Sequence, residues 1–252
     1  MNAQRRAELI ATYRDGLLED TVPFWLPRCV DEEHGGFMIA RDRDGSVLDT
    51  DKGMWQQCRF TWLLATLSTT VEPREEWLAA AFHGLEFIEK HGFDASDGEG
   101  RMWFHVTRAG APIRKRRYFF TETFGAIAYA ACAKATGEAR LADRARAIYA
   151  RAKEGFANEV TPKFASTRPT KGMGEPMILL MTAQELRACL DDDSFDVDID
   201  ACIEEIQRDF VKPELECVME TVGPNGELLN HFDGRLLNPG HAIEGAWFIL
   251  EE

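Results

Sequence analysis

The sequence predicts an all-α protein built from helical hairpins arranged in a toroid. Helical periodicity dominates the chain, and polar amphipathic helices alternate with apolar ones. The apolar helices begin near Met54, Tyr118, Met173 and Gly240, at intervals of about 55 to 67 residues. Hairpins that recur at such a spacing each bury one face on a neighbour. We therefore expect one domain over residues 1–252, with the apolar helices forming an inner ring.

The first half of the chain supplies three of the predicted helices. Residues 2–26 have helical periodicity and should break near Pro23 to Pro27, because proline lacks the N–H that a helix interior needs. An apolar helix follows over residues 54–71. An amphipathic helix over residues 74–92 ends at Gly92, a residue type common at helix C-termini.

The second half repeats this alternation. The segments 118–137 and 172–190 are apolar, whereas 139–157 and 198–211 are polar and amphipathic. The closing helix opens at Asn238, which suits an N-cap, and carries apolar residues to the end of the sequence. These helices are joined into hairpins by short polar connections.

Three turn-rich inserts lead into inner helices, near residues 35–50, 101–115 and 217–232. Asp44-Gly45 is a hairpin signal, so we expect short antiparallel strands in these inserts, gathered at one rim. The count is eight helices, or four hairpins, whereas a toroid of this kind usually closes with six. The sequence thus predicts about two thirds of an (α/α)6 barrel.

The amino-acid composition restricts the classes of molecule that the protein can bind. The net charge is −14, which argues against nucleic acid, and the basic run from Arg114 to Arg117 fits a solvated turn or an anion site. The charged N-terminus is unlike a signal peptide, and the most apolar run, 124–133, is too short to span a bilayer. The six cysteines are scattered, which is typical of reduced thiols. We expect a cytoplasmic protein that binds no membrane.

Arg59 lies between two tryptophans on one face of the first apolar helix. It follows Trp55 by four residues and precedes Trp62 by three, so the three side chains share a face. A guanidinium among indoles is either packed as a cation–π pair or free to bind a sugar hydroxyl or a developing oxyanion. Both readings are open at this point.

The closing helix places a histidine and a glutamate one turn apart. A helix N-terminus disfavours a charged imidazole at His241, while the carboxylate of Glu244 favours it, and this balance suits a general base. Glu122, Glu175 and Gln184 on the other inner helices fit caps or solvated positions equally well. The sequence lacks the HExxH, CxxC, GxGxxG and GxxxxGK[ST] motifs, so we expect neither a metal nor a cofactor.

Three stretches resemble the N-acylglucosamine 2-epimerase family: "HGGFMIARDRDGSVLDTDKGMWQQCRFTW", "PMILLMTAQEL" and "RLLNPGHAIEGAWFIL". The wider superfamily includes mannose isomerases and cellobiose 2-epimerases. The resemblance implies an (α/α)6 barrel with the sugar in its central cavity. It also implies proton abstraction and return at the carbon next to the carbonyl of the ring-opened sugar.

The resemblance also implies residue roles. Arg59 matches the arginine at the substrate oxygens, His241 matches one of two catalytic histidines, and Glu244 matches the acid that orients it. The residues expected to bind the substrate are Trp55, Phe120, Glu122, Met177 and Asn238.

Two departures from the family pattern affect the expected function. Relatives that act on neutral sugars place a histidine where this chain has Pro176, Met177 and Ile178, which favours the branch that interconverts N-acylglucosamine and N-acylmannosamine. The second catalytic histidine belongs to the last hairpins, which this sequence lacks, so the activity of the chain is left open. A nucleotide effector and a homodimer are left open as well.

Three alternatives to the epimerase are retained. The first is a mannose-type aldose–ketose isomerase, and the second is a catalytically incomplete sugar-binding fragment. The third is a glycoside hydrolase of the same architecture, which needs two carboxylates and for which Glu122 and Glu175 are the candidates.

Overall fold

The computed structural model describes residues 1–96, 100–116, 118–158 and 168–252. Arg117, the last residue of the basic run, lies outside these ranges. The described chain is mostly helical, as predicted. The helices are α1 (Ala3–Asp15), α2 (Val22–Cys29), α3 (Met54–Thr70), α4 (Glu75–His91), α5 (Phe120–Thr136), α6 (Ala139–Asn158), α7 (Gly174–Leu190), α8 (Asp196–Glu205) and α9 (Pro239–Leu250).

The helices form two layers. The inner helices α3, α5, α7 and α9 contact one another in succession, while α4, α6 and α8 each pack against the inner helix that precedes them. Helix α5 lies at the centre of the core, since every residue from 121 to 133 is buried. Its alanine-rich sequence favours a helix, and Gly137, at φ +74°, ends it by donating its N–H to the carbonyl of Ala133.

The first helix does not break where the sequence predicted. Pro23 is the second residue of α2, a position where a helix has no need of the N–H, so it does not interrupt the helix. The irregularity lies before it, in a π-type turn over Gly16–Thr21 that joins α1 to α2. Pro27 is accommodated inside α2, which continues to Cys29.

Within the described ranges, seven short strands lie between the helices: β1 (Lys52–Gly53), β2 (His105–Val106), β3 (Pro112–Arg114), β4 (Lys171–Gly172), β5 (Val211–Lys212), β6 (Cys217–Val218) and β7 (Thr221–Val222). They pair in the orders β1-β2-β3, β4-β7 and β5-β6, all antiparallel. The second insert therefore contains the expected hairpin, formed by β2 and β3.

The expectation of strands near residues 35–50 is wrong. This insert has only isolated bridges: the antiparallel bridge between Arg41 and Val47 is flanked by backbone hydrogen bonds from Leu48 to Ala40 and from Asp42 to Ser46, and it does not extend into a ladder. The side-chain amide of Gln57 binds both the N–H and the carbonyl of Phe37, each at 2.7 Å. The Arg41 guanidinium donates to the carbonyls of Met38 and Gly45.

The strands of the third insert pair with segments outside it. Strand β6 pairs with β5 at the end of the α8 region, and β7 pairs with β4, which leads directly into α7. The insert is thus attached to the first turn of an inner helix.

A buried ion pair anchors the first insert to α3. The Lys52 ammonium, fully buried, donates to Asp31 at 2.8 Å and to the carbonyls of Gly35 and Arg108 at 2.6 and 2.8 Å. Burial opposes ionisation of Asp31, but hydrogen bonds from Arg108 and Lys52 outweigh it and hold the pKa of its carboxyl well below the usual range. Because β1 runs straight into α3, this cluster fixes the start of the helix that carries Trp55 and Arg59.

Candidate active site

The four inner helices enclose a cavity of about 430 Å³. Its lining comes from α3, α5, α7 and α9 and from the two residues that follow α9. The lining residues are Trp55, Arg59, Trp62, Phe120, Phe124, Ile127, Met177, Ile178, Met181, Gln184, Glu185, Arg187, Ala188, His241, Glu244, Trp247, Phe248, Glu251 and Glu252. Six residues proposed from the sequence therefore meet here: Trp55, Arg59, Phe120, Met177, His241 and Glu244.

An aromatic wall lies beside the arginine. The Trp55 ring stacks on Phe124 with centroids 4.8 Å apart and on Phe120 with centroids 6.1 Å apart. The guanidinium of Arg59 lies 5.0 Å from the centre of the Phe124 ring. Among the described residues it makes no hydrogen bond or ion pair, and its side chain is solvent-accessible. All five N–H donors of Arg59 are therefore available to a ligand.

His241 binds a carboxylate that the sequence did not predict. The Asn238 side chain caps α9 by accepting the backbone N–H of His241 at 3.3 Å. The imidazole Nδ1 then lies 2.9 and 3.0 Å from the two carboxylate oxygens of Glu220, the residue before β7. The histidine side chain is 39% exposed and the glutamate side chain 21%, so the pair is partly shielded from water.

The structure corrects the role expected of Glu244. Glu244 lines the cavity but does not bind His241, whose Nδ1 is occupied by Glu220. In the described part of the chain Glu244 makes no hydrogen bond or ion pair. Residues three apart on a helix share a face, but this spacing does not ensure that their polar atoms meet.

Two further residues that were expected to contact the substrate, Glu122 and Asn238, do not line the cavity. Glu122 is fully buried, where Oε1 accepts from Arg101 at 2.8 Å and from the backbone N–H of Met102 at 2.9 Å. Two helix positions rotate a side chain by about 200°, which directs Glu122 away from Phe120. Asn238 is engaged in capping α9. The expectation that Glu122 and Asn238 contact substrate is thereby corrected.

The far end of the cavity carries polar residues of its own. The Trp62 indole donates to Oε2 of Glu185 at 2.9 Å, and the Gln184 amide donates to the carbonyl of Phe248 at 2.8 Å. Burial raises the pKa of the Glu185 carboxyl. Glu185 could have been identified from its spacing, since Met177, Met181 and Glu185 follow one another at intervals of four residues along α7.

A larger groove of about 750 Å³ lies on the outside of the molecule, between α2 and α4. Its lining is mainly apolar and includes none of the residues expected to take part in catalysis or to bind the substrate. In the described chain, no group of three or more histidine, cysteine, aspartate or glutamate side chains is arranged to hold a metal ion. No helix within the described ranges is long and apolar enough to cross a bilayer.

Sequence comparison decides the family. The N-acylglucosamine 2-epimerase (GlcNAc 2-epimerase) family matches residues 35–251. The chain belongs to this family. Within it, the N-acylglucosamine 2-epimerase of Mus musculus is 31% identical over 245 residues, which cover 93% of this chain and 57% of that protein. The enzyme of Bos taurus is 30% identical over 259 residues, covering 98% and 61%.

A solved relative confirms the fold. The structure of cellobiose 2-epimerase from Bacillus thermoamylovorans superposes on 97% of this chain and 66% of its own, with a TM-score of 0.83 at 19% sequence identity. The chain therefore has the architecture of a carbohydrate epimerase barrel and spans 57–61% of the length of the two curated relatives.

Proposed function

We propose that this chain carries the proton-abstraction site of a sugar 2-epimerase that interconverts N-acylglucosamine and N-acylmannosamine. The observation that carries the proposal is that His241 and Arg59 line one cavity, although 182 positions separate them in the sequence. A base and an unpaired guanidinium in one cavity are what removal of a proton next to a carbonyl requires.

The chemistry assigns one role to each side chain. In the ring-opened sugar, the C2 proton passes to Nε2 of His241, and the electron pair moves onto the carbonyl oxygen. Arg59 stabilises that oxyanion with its N–H donors, and Trp55 and Phe120 give the sugar an apolar face to lie against. Return of a proton to the same face of C2 regenerates the starting sugar, and delivery of a proton to the opposite face gives its epimer.

The cavity also favours an acylamino sugar over a neutral one. Met177, Ile178 and Met181 form an apolar wall on α7, which suits the methyl group of an N-acetyl substituent. Relatives of the mannose isomerase type are expected to place a histidine in this segment, and this chain has none there.

Proton exchange tests this proposal more directly than product formation does. A single base on one face of the sugar suffices for exchange of the C2 proton, whereas inversion also needs protonation of the opposite face. We expect the chain to incorporate deuterium at C2 of N-acetylmannosamine in D₂O, as followed by NMR. No incorporation would contradict the proposal, and conversion of mannose to fructose would support the isomerase instead.

A further inference from the structure

We propose that Glu220 is the positioning residue of His241 and that Glu244 is left to bind the substrate. The inference rests on the proposed function, in which His241 moves the C2 proton. It assigns to Glu220 the orienting role that the spacing of His241 and Glu244 suggests for Glu244.

The direction of the hydrogen bond follows from its partners. An ionised carboxylate can only accept hydrogen bonds, so the imidazole Nδ1, at 2.9 and 3.0 Å from the Glu220 oxygens, carries the proton. A neutral imidazole with its proton on Nδ1 has its lone pair on Nε2. Glu220 therefore selects Nε2 as the atom that accepts a proton from substrate.

The backbone around Glu220 is hydrogen-bonded to the segment that leads into α7. The Glu220 carbonyl accepts the N–H of Met173 at 3.0 Å, and the next two residues form β7. Strand β7 pairs with β4, with Thr221 opposite Gly172. Because β4 leads directly into α7, this pairing fixes the carboxylate between the first turns of α7 and α9.

Side chains secure the same ladder from the α8 side. Lys171, in β4, donates to Asp209 and, at 2.9 Å, to Glu205. Asp209 is almost fully buried and also accepts two hydrogen bonds from Arg208, at 2.8 and 2.9 Å. The strand that orders Glu220 is therefore tied to the end of the outer helix.

The turn of the insert packs against the same aspartate. Gly226 adopts φ +82°, and a Cβ at this position would lie 2.8 Å from the Asp209 carboxylate and 3.0 Å from its Cα. The Lys212 ammonium donates to the Gly226 carbonyl at 2.8 Å. Support from several directions is what a group needs if it is to hold a catalytic side chain in one orientation.

The carboxylate of Glu244, unlike that of Glu220, is not fixed by hydrogen bonds from the described residues. Glu244 lines the cavity beside His241, and within the described residues no protein group bonds to its carboxylate. A free carboxylate in a sugar cavity accepts hydrogen bonds from hydroxyl groups. Its removal should therefore weaken substrate binding rather than change the state of the histidine.

The test is the tautomer of His241, read from its ring ¹⁵N chemical shifts by NMR in the 252-residue chain at a pH where the ring is neutral. We expect an Nδ1–H signature in the unmodified chain, loss of that preference in Glu220→Gln and no change in the matched control Glu244→Gln. An Nε2–H ring in the unmodified chain overturns the proposal, as does a change confined to Glu244→Gln. The first outcome needs no variant and so does not depend on whether the variants fold.

Kinetic measurements on the same variants distinguish a failure of this inference from a failure of the proposed function. With N-acetylmannosamine in D₂O, Glu220→Gln should lower the maximal exchange rate about 10- to 100-fold at nearly unchanged KM. Glu244→Gln should mainly raise KM, and the reverse pattern overturns the assignment. Since the tautomer measurement needs no substrate, an Nδ1–H ring without any exchange would contradict the proposed function and leave the positioning role standing.

Discussion

At the residue scale, the surroundings of Arg59 distinguish a binding role from a structural one. Its guanidinium lies over Phe124 and, among the described residues, has no anionic partner. A cation–π contact at an accessible site contributes only about 0.5–1 kcal/mol to stability. The contact of Arg59 with Phe124 therefore adds little to the stability of the fold. This favours a role for Arg59 in binding a ligand.

The corresponding prediction concerns Arg59→Lys. The substitution keeps the charge but loses the planar fork, so the rate of C2 exchange should fall at least about tenfold. The free energy of unfolding should change by no more than about 1 kcal/mol. Exchange and urea unfolding are measured on the same sample, and a loss of several kcal/mol would mean that Arg59 is a structural residue.

The sequence placed some site residues and missed others for a physical reason. Trp55 and Arg59 were predictable because helix periodicity decides which side chains share a face. Glu220 was not, because it reaches His241 through the pairing of β7 with β4, and this contact leaves no periodic signal in the sequence. Glu122 was misplaced because a polar residue in an apolar helix can face the core when an arginine binds it there, as Arg101 does.

At the element scale, the helices were predictable and the inserts were not. Apolar residues at helical spacing must find a common core, whatever surrounds them. The first insert instead takes its shape from side chains that are distant in sequence, such as Gln57 on Phe37 and Lys52 on Asp31. The first insert is therefore held by individual hydrogen bonds rather than by regular sheet.

The anchor of the first insert should be sensitive to loss of one charge. Asp31→Asn removes the anion that faces Lys52 and leaves a fully buried ammonium bound only to carbonyl groups. We expect the free energy of unfolding to fall by about 3–5 kcal/mol in urea titrations. Glu33→Gln is the matched control, since the Glu33 side chain is 67% exposed and should contribute at most about 1 kcal/mol. Equal effects of both substitutions would contradict the assignment.

The anchor of the third insert should depend on pH. Hydrogen bonds from Arg208 and Lys171, against the opposing effect of burial, lower the pKa of Asp209 to about 2. A carboxyl with a lowered folded-state pKa stabilises the fold fully above its ordinary value of 3.8 and loses this contribution as the pH falls towards 2. Asp209→Asn should thus cost on the order of 1–2 kcal/mol at neutral pH, and urea titrations should show the difference shrinking between pH 4 and about 2. A difference that is constant over this interval would contradict the account.

At the scale of the whole molecule, α9 presents an apolar face to solvent. Ile243, Trp247 and Leu250 follow the spacing of one helix face and are 71%, 57% and 84% exposed. Phe248, on the same helix, is only 7% exposed and faces the cavity. Apolar side chains grouped in this way usually mark a surface that other protein covers.

The exposed face of α9 should make the chain self-associate. Sedimentation should show a mass that rises with concentration, and the double substitution Ile243→Lys and Leu250→Lys should reduce this association. Val197→Lys is the control, because Val197 is equally exposed but lies on α8. A chain that stays monomeric at all concentrations would contradict this prediction.

The central claim is that His241 transfers the proton at C2 of an N-acyl hexosamine, and the exchange of that proton with D₂O in His241→Ala tests it most directly. General acid–base catalysis accounts for roughly 10²- to 10⁴-fold in rate, so exchange should fall by at least 10²-fold. His34→Ala, a histidine of the first insert outside the cavity, should exchange at the unmodified rate. Undiminished exchange in His241→Ala would contradict the account and leave the first turn of α9 with a structural role alone.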